Sequence, residues 1–378
     1  MKHKRDVIQH IKDEDSDSYS DDSLFRISSW GADLSFRELI QRYEDNELVK
    51  PELQRHYVWD RVEASRFIDS VLLDLPIPSI FLAQTPDEKL LIVDGFQRIM
   101  TVRDFVRGIF SGDGKVFRLS RSERINERWR GRAFAELGDA EQRRVRNTTI
   151  HAIIFVQQQP QDDDTSLFQV FERINTSGRT LLPQEIRNCV AQGKMNSLLF
   201  DLNKNDKWRA LFGLVEPDSR MRDMEFILRF FALSSEIFRN DQRERLSLKR
   251  FLDLFMKNNK NPDDPVVESL RRRFLSSVDL VFGTFGAVAF HNVSPSDPNK
   301  LVAKFSPTLC DSILIAADCA LTADNYNLPP EPENARRALL GDDDFRSAIS
   351  KETMSRKCIT TRIGMACDKL FEVQYEQR

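Results

Sequence analysis

The stretch of residues 90–105 constrains the fold of this chain more than any other part of the sequence. Its first four residues, Leu-Leu-Ile-Val, predict a short buried strand that forms a hairpin with a strand over residues 80–83. Asp94-Gly95 follows and predicts a tight turn, after which apolar residues recur at helical spacing at Ile99 and Val102. A helix that starts after a glycine turn leaves backbone N–H groups without intrahelical partners, at the positive end of the helix dipole. Such a helix start binds anions, most often phosphate.

Three side chains of this stretch suit a phosphate site. Arg98, in the first helical turn, can hold a phosphate with two parallel hydrogen bonds. Asp94 can hold a ribose or a metal ion, and Thr101 adds a hydroxyl group. An ordinary Asp-Gly turn with a solvated arginine produces the same local pattern, so the residues alone leave both interpretations open.

The composition is that of a globular protein with two or three domains. The chain has 378 residues, of which 40% are hydrophobic and 30% charged. No apolar run reaches the ~18 residues that a membrane span requires. Residues 1–5 and the acidic residues after them lack the apolar core of a signal peptide. We therefore expect a cytoplasmic protein without a membrane partner.

Cysteine and histidine usage does not indicate a metal site. The five cysteines are scattered without a CxxC pair, and the five histidines are equally dispersed. The sequence therefore predicts neither a zinc site nor a disulfide framework. Because the net charge is −3, any contact with nucleic acid requires a local basic face.

Three regions follow one another along the chain. Residues 1–23 are polar and acidic, and we expect a disordered tail there because few apolar groups are available to order it. Residues 24–191 mix short strands with helices. Residues 192–378 carry phenylalanines at helical spacing, which predicts an all-helical domain with an apolar core.

A second informative block lies ahead of the first. Arg55, Tyr57 and Trp59 form a dense polar and aromatic mixture without a clean period. They suit either a structural collar under the following helix or a wall of the anion site, in which Arg55 contacts the anion and the aromatic rings flank a base. Asp60 and Glu63 have the spacing of a capping box and predict where that helix starts.

Residues 120–146 are crowded with arginine and interleaved with Trp129 and Phe134. Such a segment suits a surface that faces nucleic acid. It also suits a solvated helix face that its own glutamates balance, and both alternatives stay open. The arginines after Ser120 are Arg121, Arg124, Arg128, Arg130, Arg132, Arg143, Arg144 and Arg146.

A third block surrounds a polar loop with glycine at the position that a helix C-cap favours. The loop is Asn175-Thr-Ser-Gly178, and a new helix is predicted after it with Pro183 in its first turn. Glu185 in this helix complements the helix dipole or, alternatively, closes over the phosphate loop from the opposite side.

Together the three blocks resemble the N-terminal family of GmrSD-type restriction endonucleases. The family signatures are a Gln-Arg-x-Tyr-x-Trp block, an Asp-Gly-Gln-Gln-Arg block and an Asn-x-x-Gly-x-x-Leu block. All three occur here in this order, over about residues 24–191, as Gln54-Arg-His-Tyr-Val-Trp59, Asp94-Gly-Phe-Gln-Arg98 and Asn175-Thr-Ser-Gly178-Arg-Thr-Leu181.

The resemblance implies an α+β protein with a ParB/sulfiredoxin-like N-terminal lobe built on a small mixed sheet, followed by an all-helical C-terminal lobe. It also implies a nucleoside triphosphate (NTP) with Mg²⁺ as the bound cofactor. Three residues would act in catalysis, namely Asp94, Gln97 and Arg98. The residues expected to bind nucleotide and phosphate are Arg55, Tyr57, Trp59, Gly95, Thr101, Asn175, Gly178 and Glu185.

Two departures from the family pattern bear on activity. Phe96 replaces the first glutamine of the Asp-Gly-Gln-Gln-Arg signature, which affects hydrolysis more than binding because the glycine and the arginine remain. Many relatives also carry a C-terminal His-Asn-His nuclease with a His-x-x-Pro signature. The nearest match, His291 to Pro295, is one residue too long, so we expect this nuclease to be missing from the chain.

The resemblance implies an NTP-binding and NTP-hydrolysing component of prokaryotic DNA restriction or anti-phage defence. Its partners would be the nucleotide, DNA, a separate nuclease or defence effector, and a second copy of the chain. Two alternatives remain. The chain is a DNA-binding module without turnover, or it is an endonuclease subunit in which Asp94 and Glu185 hold a metal ion.

Overall fold

The computed structural model describes residues 7–11, 14, 26–49, 59–85, 87–159, 170, 182–191, 193–218, 220–294, 297–323 and 325–375. The chain divides into two compact units. The first, here the sheet unit, is Asp22–Val190; the second, here the helical unit, combines Met1–Asp21 with Ala191–Arg378. In the described ranges no helix is both long and apolar enough to cross a bilayer.

The sheet unit is built from five strands and five helices within the described residues. The strands are β1 (Arg26–Ser35), β2 (Leu48–Val49), β3 (Ile80–Gln84), β4 (Leu90–Asp94) and β5 (Thr149–Gln159). The helices are α1 (Phe36–Glu44), α2 (Arg61–Leu72), α3 (Phe96–Arg107), α4 (Asp139–Asn147) and α5 (Pro183–Val190).

The sheet is mixed, with strand order β1-β5-β3-β4-β2. Strand β3 pairs antiparallel with β4 and parallel with β5, so β3 and β4 form the predicted hairpin. Strand β1 pairs antiparallel with β5, and β2 pairs parallel with β4. The predicted α+β class with a small mixed sheet is confirmed, whereas its likeness to the ParB/sulfiredoxin fold stays a prediction.

One apolar core holds the helices against this sheet. It includes Phe36 of α1, Ile68 of α2, Ile99 and Phe105 of α3, and Ile92 of β4, all of which are buried. The predicted start of α2 is confirmed, because Asp60 and Glu63 form a reciprocal capping box. Burial of these apolar side chains is the main stabilising contribution in the unit.

The helical unit contains ten helices and a two-stranded sheet within the described residues. The helices are α6 (Lys194–Leu202), α7 (Asp206–Phe212), α8 (Arg222–Leu233), α9 (Glu236–Asn240), α10 (Leu248–Asn258), α11 (Asp264–Phe285), α12 (Pro307–Thr322), α13 (Pro332–Gly341), α14 (Asp343–Ser350) and α15 (Arg356–Phe371). The strands are β6 (His291–Ser294) and β7 (Asp297–Phe305), which pair antiparallel.

This sheet corrects the prediction that residues 192–378 are entirely helical. His291 starts β6 and is opposite Phe305 of β7. Phe305 is also buried among aromatic rings of helices α7 and α8, so the strand pair is anchored in the helical core. The predicted phenylalanine core is confirmed, with Phe230, Phe251 and Phe274 buried.

The prediction of a disordered tail over residues 1–23 is wrong for residues 7–11 and for Glu14. The Phe305 N–H donates to the Val7 carbonyl, and the Gln9 N–H donates to the Phe305 carbonyl, both at 2.8 Å. Ile8 and Ile11 are buried in or beside the helical core. Two isoleucines and the free edge of a strand order this stretch, although its composition as a whole is polar and acidic.

Candidate functional site

The turn between β4 and α3 requires glycine. Gly95 is the N-cap of α3 and has φ +103°, a left-handed conformation that residues with a side chain rarely adopt. A Cβ atom at this position would lie 2.2 Å from Cγ2 of Ile80, the first residue of β3. Two separate features therefore require glycine at position 95. One is its backbone conformation, and the other is the Ile80 side chain that fills the space beside it.

The start of α3 has the properties that an anion site needs. Gly95 has no side chain to cap the helix, and the first helical turn contains no acidic residue. The first intrahelical hydrogen bond runs from the Ile99 N–H to the Gly95 carbonyl at 3.1 Å. As a general rule the first N–H groups of an α-helix have no acceptor within the helix, and they carry the positive end of the dipole.

Arg98 ties this turn to the start of β3. Its Nη1 donates to the carbonyls of Pro78 at 2.9 Å and Ser79 at 2.6 Å, and its Nη2 donates to Asp94 Oδ2 at 2.5 Å. The side chains of Arg98 and Asp94 are 14% and 27% exposed. Arg98 therefore holds the turn together, and its charge is partly offset by Asp94.

Two of the three sequence blocks meet at this turn. The Trp59 N–H donates to Gln97 Oε1 at 3.4 Å, which joins the end of the first block to the first turn of α3. The Trp59 ring packs edge-on against Phe67 of α2 at a centroid distance of 5.6 Å, as the collar interpretation expects. Arg55 and Tyr57 lie outside the described residues, so their place at the site stays a prediction.

Two residues near the turn point away from it. Thr101 is buried, and its hydroxyl donates to the Gln97 carbonyl at 2.7 Å. The predicted contact of Thr101 with phosphate is therefore wrong, and its hydroxyl instead makes a hydrogen bond within α3. Phe96, at the position of the first family glutamine, is buried in the apolar core of the sheet unit. Neither side chain is oriented toward a ligand at the helix start.

Helix α5 carries a buried polar face that sequence reasoning missed. Glu185 accepts a hydrogen bond from the Leu182 N–H at 2.6 Å and thereby caps its own helix. Gln184 accepts from Arg187 at 3.0 Å and donates to Asn188 at 2.9 Å. All four polar side chains are buried. Their spacing along the helix is that of core residues, which was the available signal.

Of the third block and the helix after it, the structure describes Glu185 but not the loop. Asn175 and Gly178 lie outside the described residues, and closure of Glu185 over the phosphate loop stays a prediction. The suggested metal pair of Asp94 and Glu185 receives no support, because Glu185 caps α5 through the Leu182 N–H. Among the described residues, no group of three His, Cys, Asp or Glu side chains could hold a metal ion.

Much of the arginine-rich segment serves the fold. Arg130 donates to the Ile125 carbonyl at 2.8 Å, and Arg144 donates to the Leu72 carbonyl at 2.8 Å. Trp129 is buried, with its Nε1–H bonded to Asp69, so its ring is not exposed for base stacking. Among the exposed arginines of this segment, Arg121, Arg124 and Arg143 form no side-chain hydrogen bond or ion pair with any described residue.

We expect Gly95→Ala to destabilise the sheet unit more than Gly108→Ala. Both glycines flank α3 with positive φ, but a Cβ atom at Gly108 would meet nothing within 4 Å. Gly108→Ala should cost about 1–2 kcal/mol for the left-handed conformation alone. Gly95→Ala should cost a further ~1–3 kcal/mol because Ile80 must move. Urea unfolding followed by tryptophan fluorescence measures the difference, and equal losses in the two variants would contradict the close contact with Ile80.

The comparison with protein families identifies this part of the chain. Residues 36–191 match the family described as GmrSD restriction endonuclease, N-terminal domain. The match begins at the first residue of α1 and includes the turn at Gly95 and helix α5. No protein of curated function matches the chain. The expected resemblance to this N-terminal domain family is therefore confirmed over residues 36–191.

Proposed function

We propose that the sheet unit binds the phosphate groups of a nucleoside triphosphate at the start of α3. We further propose that the chain serves as the nucleotide-binding component of a prokaryotic DNA restriction or anti-phage defence system. The observation that carries the proposal is the uncapped first turn of α3, which contains no acidic residue and follows a glycine that the contact with Ile80 requires.

Backbone groups would supply the first part of the binding energy. An α-helix presents the equivalent of about +0.5 elementary charge at its N-terminus, together with N–H groups that point along its axis. Because Ile80 fills the Cβ position of Gly95, a phosphate would approach along the helix axis, where these N–H groups point. The family assignment supports this location, because the matched segment includes the whole turn.

Arg98 would supply the second part. Three of its hydrogen bonds go to the carbonyls of Pro78 and Ser79 and to Asp94, so the guanidinium group is already fixed beside the helix start. Its Nε–H makes no hydrogen bond to a described residue and remains to be shared with a phosphate oxygen. A group held in this way loses little conformational entropy when the ligand arrives.

The residues at the turn fit the way in which Mg²⁺ is held in nucleotide sites. This ion is commonly bound through one or two carboxylates together with the phosphates of the substrate. Asp94 is the partly exposed carboxylate at the turn, and it would take this place. Bound Mg²⁺ would neutralise phosphate charge.

We expect the chain to bind a nucleoside triphosphate but to hydrolyse it only slowly. Hydrolysis needs a group that orients the attacking water, and the ring of Phe96 lies in the core where the family carries an amide. Gln97 retains its amide, which accepts a hydrogen bond from the Trp59 backbone and so acts as a positioning residue. We therefore expect slow phosphate release relative to binding.

Calorimetric titration of ATP, GTP, CTP and UTP with Mg²⁺ tests the proposal. We expect the wild type to bind at least one nucleotide, and Arg98→Ala to weaken that binding about tenfold or more. The reason is that a hydrogen bond to a charged group contributes ~1.5–3 kcal/mol, and ~1.4 kcal/mol is tenfold in affinity.

The matched control is Arg107→Ala, at the opposite end of the same helix, where the side chain pairs with Glu44. It should bind nucleotide as the wild type does, and thermal unfolding should show that both variants are folded. Binding of none of the four nucleotides would refute the proposal. Equal weakening by both substitutions would refute the role of Arg98.

A second candidate function is binding of a DNA backbone, which the exposed arginines Arg121, Arg124 and Arg143 favour. Replacement of all three by glutamine should then weaken duplex binding at low salt. It should also reduce the slope of log affinity against log salt by about 0.9 for each phosphate that these arginines neutralise. Fluorescence anisotropy at several salt concentrations measures both quantities. An unchanged slope would contradict a role for these arginines.

A further inference from the structure

The helical unit contains a buried cluster of four charged side chains, one of which comes from the start of the chain. Arg229 of α8 donates to both carboxylate oxygens of Glu14, at 2.7 and 3.0 Å. It also pairs with Asp311 of α12, where its Nε donates at 3.0 Å. Arg362 of α15 donates to the same aspartate at 3.3 Å.

The cluster is balanced only while Glu14 is present. Two guanidinium groups face two carboxylates, and Arg229, Arg362 and Asp311 are almost completely buried. Burial by itself would raise the pKa of Glu14, but Arg229 and, more weakly, Arg362 hold this pKa below its ordinary value. Glu14 is therefore ionised at neutral pH. Its removal would leave an uncompensated buried positive charge, which is strongly unfavourable.

One further donor in the cluster has no acceptor. The Nε–H of Arg362 is buried and makes no hydrogen bond to any described residue. Arg362, Arg229 and Glu14 line a small cavity together with apolar residues, among them Leu233 and Ile359. The site therefore combines two buried arginines, which need a negatively charged partner, with apolar lining residues.

The segment that brings Glu14 is held by two other kinds of contact. Ile8 forms a single parallel bridge with Phe305 at the end of β7, through hydrogen bonds of the Val7 carbonyl and the Gln9 N–H. Ile8 and Ile11 are buried, and Glu14 follows at the same spacing of three residues. Backbone hydrogen bonds to a strand supply affinity, and side-chain sites at fixed intervals supply specificity.

We propose that the helical unit carries a peptide-binding groove that recognises two aliphatic residues three apart and a carboxylate three residues further on. In this structure residues 7–11 and Glu14 of the chain occupy the groove as an intramolecular ligand. A segment attached to its own binding site competes with a free peptide at an effective concentration on the order of millimolar. A partner protein with an acidic peptide of the same pattern would compete with the chain's own segment.

Competition by a labelled synthetic peptide with the sequence of residues 5–16 tests this proposal. The full chain is compared as wild type, as Glu14→Gln and as Glu268→Gln, a control that removes an exposed carboxylate from α11. The tethered segment should exclude the peptide from the wild type and from Glu268→Gln. Glu14→Gln weakens the tethered segment, so this variant should bind the peptide at least about tenfold more tightly.

Two further measurements make the test decisive. The same peptide with Glu14→Gln should bind none of the three proteins, because it cannot neutralise the arginines. The variant Ile8→Ser of the full chain should also bind the wild-type peptide, because it weakens the tethered segment without replacing a charged residue. This variant keeps the test valid if the Glu14→Gln chain does not fold. The proposal would be overturned if the wild-type peptide bound all proteins equally or bound none of them. It would also be overturned if the wild-type and Glu14→Gln peptides bound equally well.

Discussion

The contact between Ile80 and Gly95 is the constraint on which the rest of the sheet unit depends. The Ile80 side chain occupies the space that a Cβ atom at position 95 would need, so β3 can lie directly beside the turn that ends β4. Because β3 lies there, the carbonyls of Pro78 and Ser79 come within reach of Arg98. The core and the candidate site therefore share one geometric condition, and a change that separates β3 from the turn would disturb both.

The arrangement around Arg98 explains how a structural contact can also prepare a binding site. A guanidinium group on a helix is usually mobile, but here its Nη1 is held by two carbonyls of another segment. The group is thus oriented by rigid elements before any ligand is present, which lowers the entropic cost of binding. Its pairing with Asp94 keeps a partly buried cation compensated in the absence of an anion.

Local signals were sufficient to predict several elements from the sequence. The hairpin of β3 and β4, the capping box at Asp60 and the start of α3 after Gly95 all follow from residues close in sequence. Strand β1 was missed because most of its side chains are exposed, which leaves no apolar alternation to detect. It is held instead by its pairing with β5, far along the chain.

The same distinction separates the predicted and unpredicted parts of the candidate site. Glycine at position 95 and arginine at position 98 could be recognised locally, but the bonds of Arg98 to residues 78 and 79 depend on tertiary structure. The burial of Thr101 likewise depends on which face of α3 meets the sheet. The docking of Ile8 and Ile11 could not be read from composition, since two apolar residues are diluted by an acidic stretch.

The central claim is that backbone groups at the start of α3 bind phosphate, and amide chemical shifts measure this most directly. Inorganic tripolyphosphate is titrated into isotopically labelled protein, and the N–H resonances of residues 96–98 are compared with that of Gly108. Gly108 serves as the reference because its N–H bonds to the Phe105 carbonyl at the other end of α3. The account predicts saturable shifts at residues 96–98 and little change at Gly108. Unchanged resonances at residues 96–98 up to millimolar tripolyphosphate would contradict it.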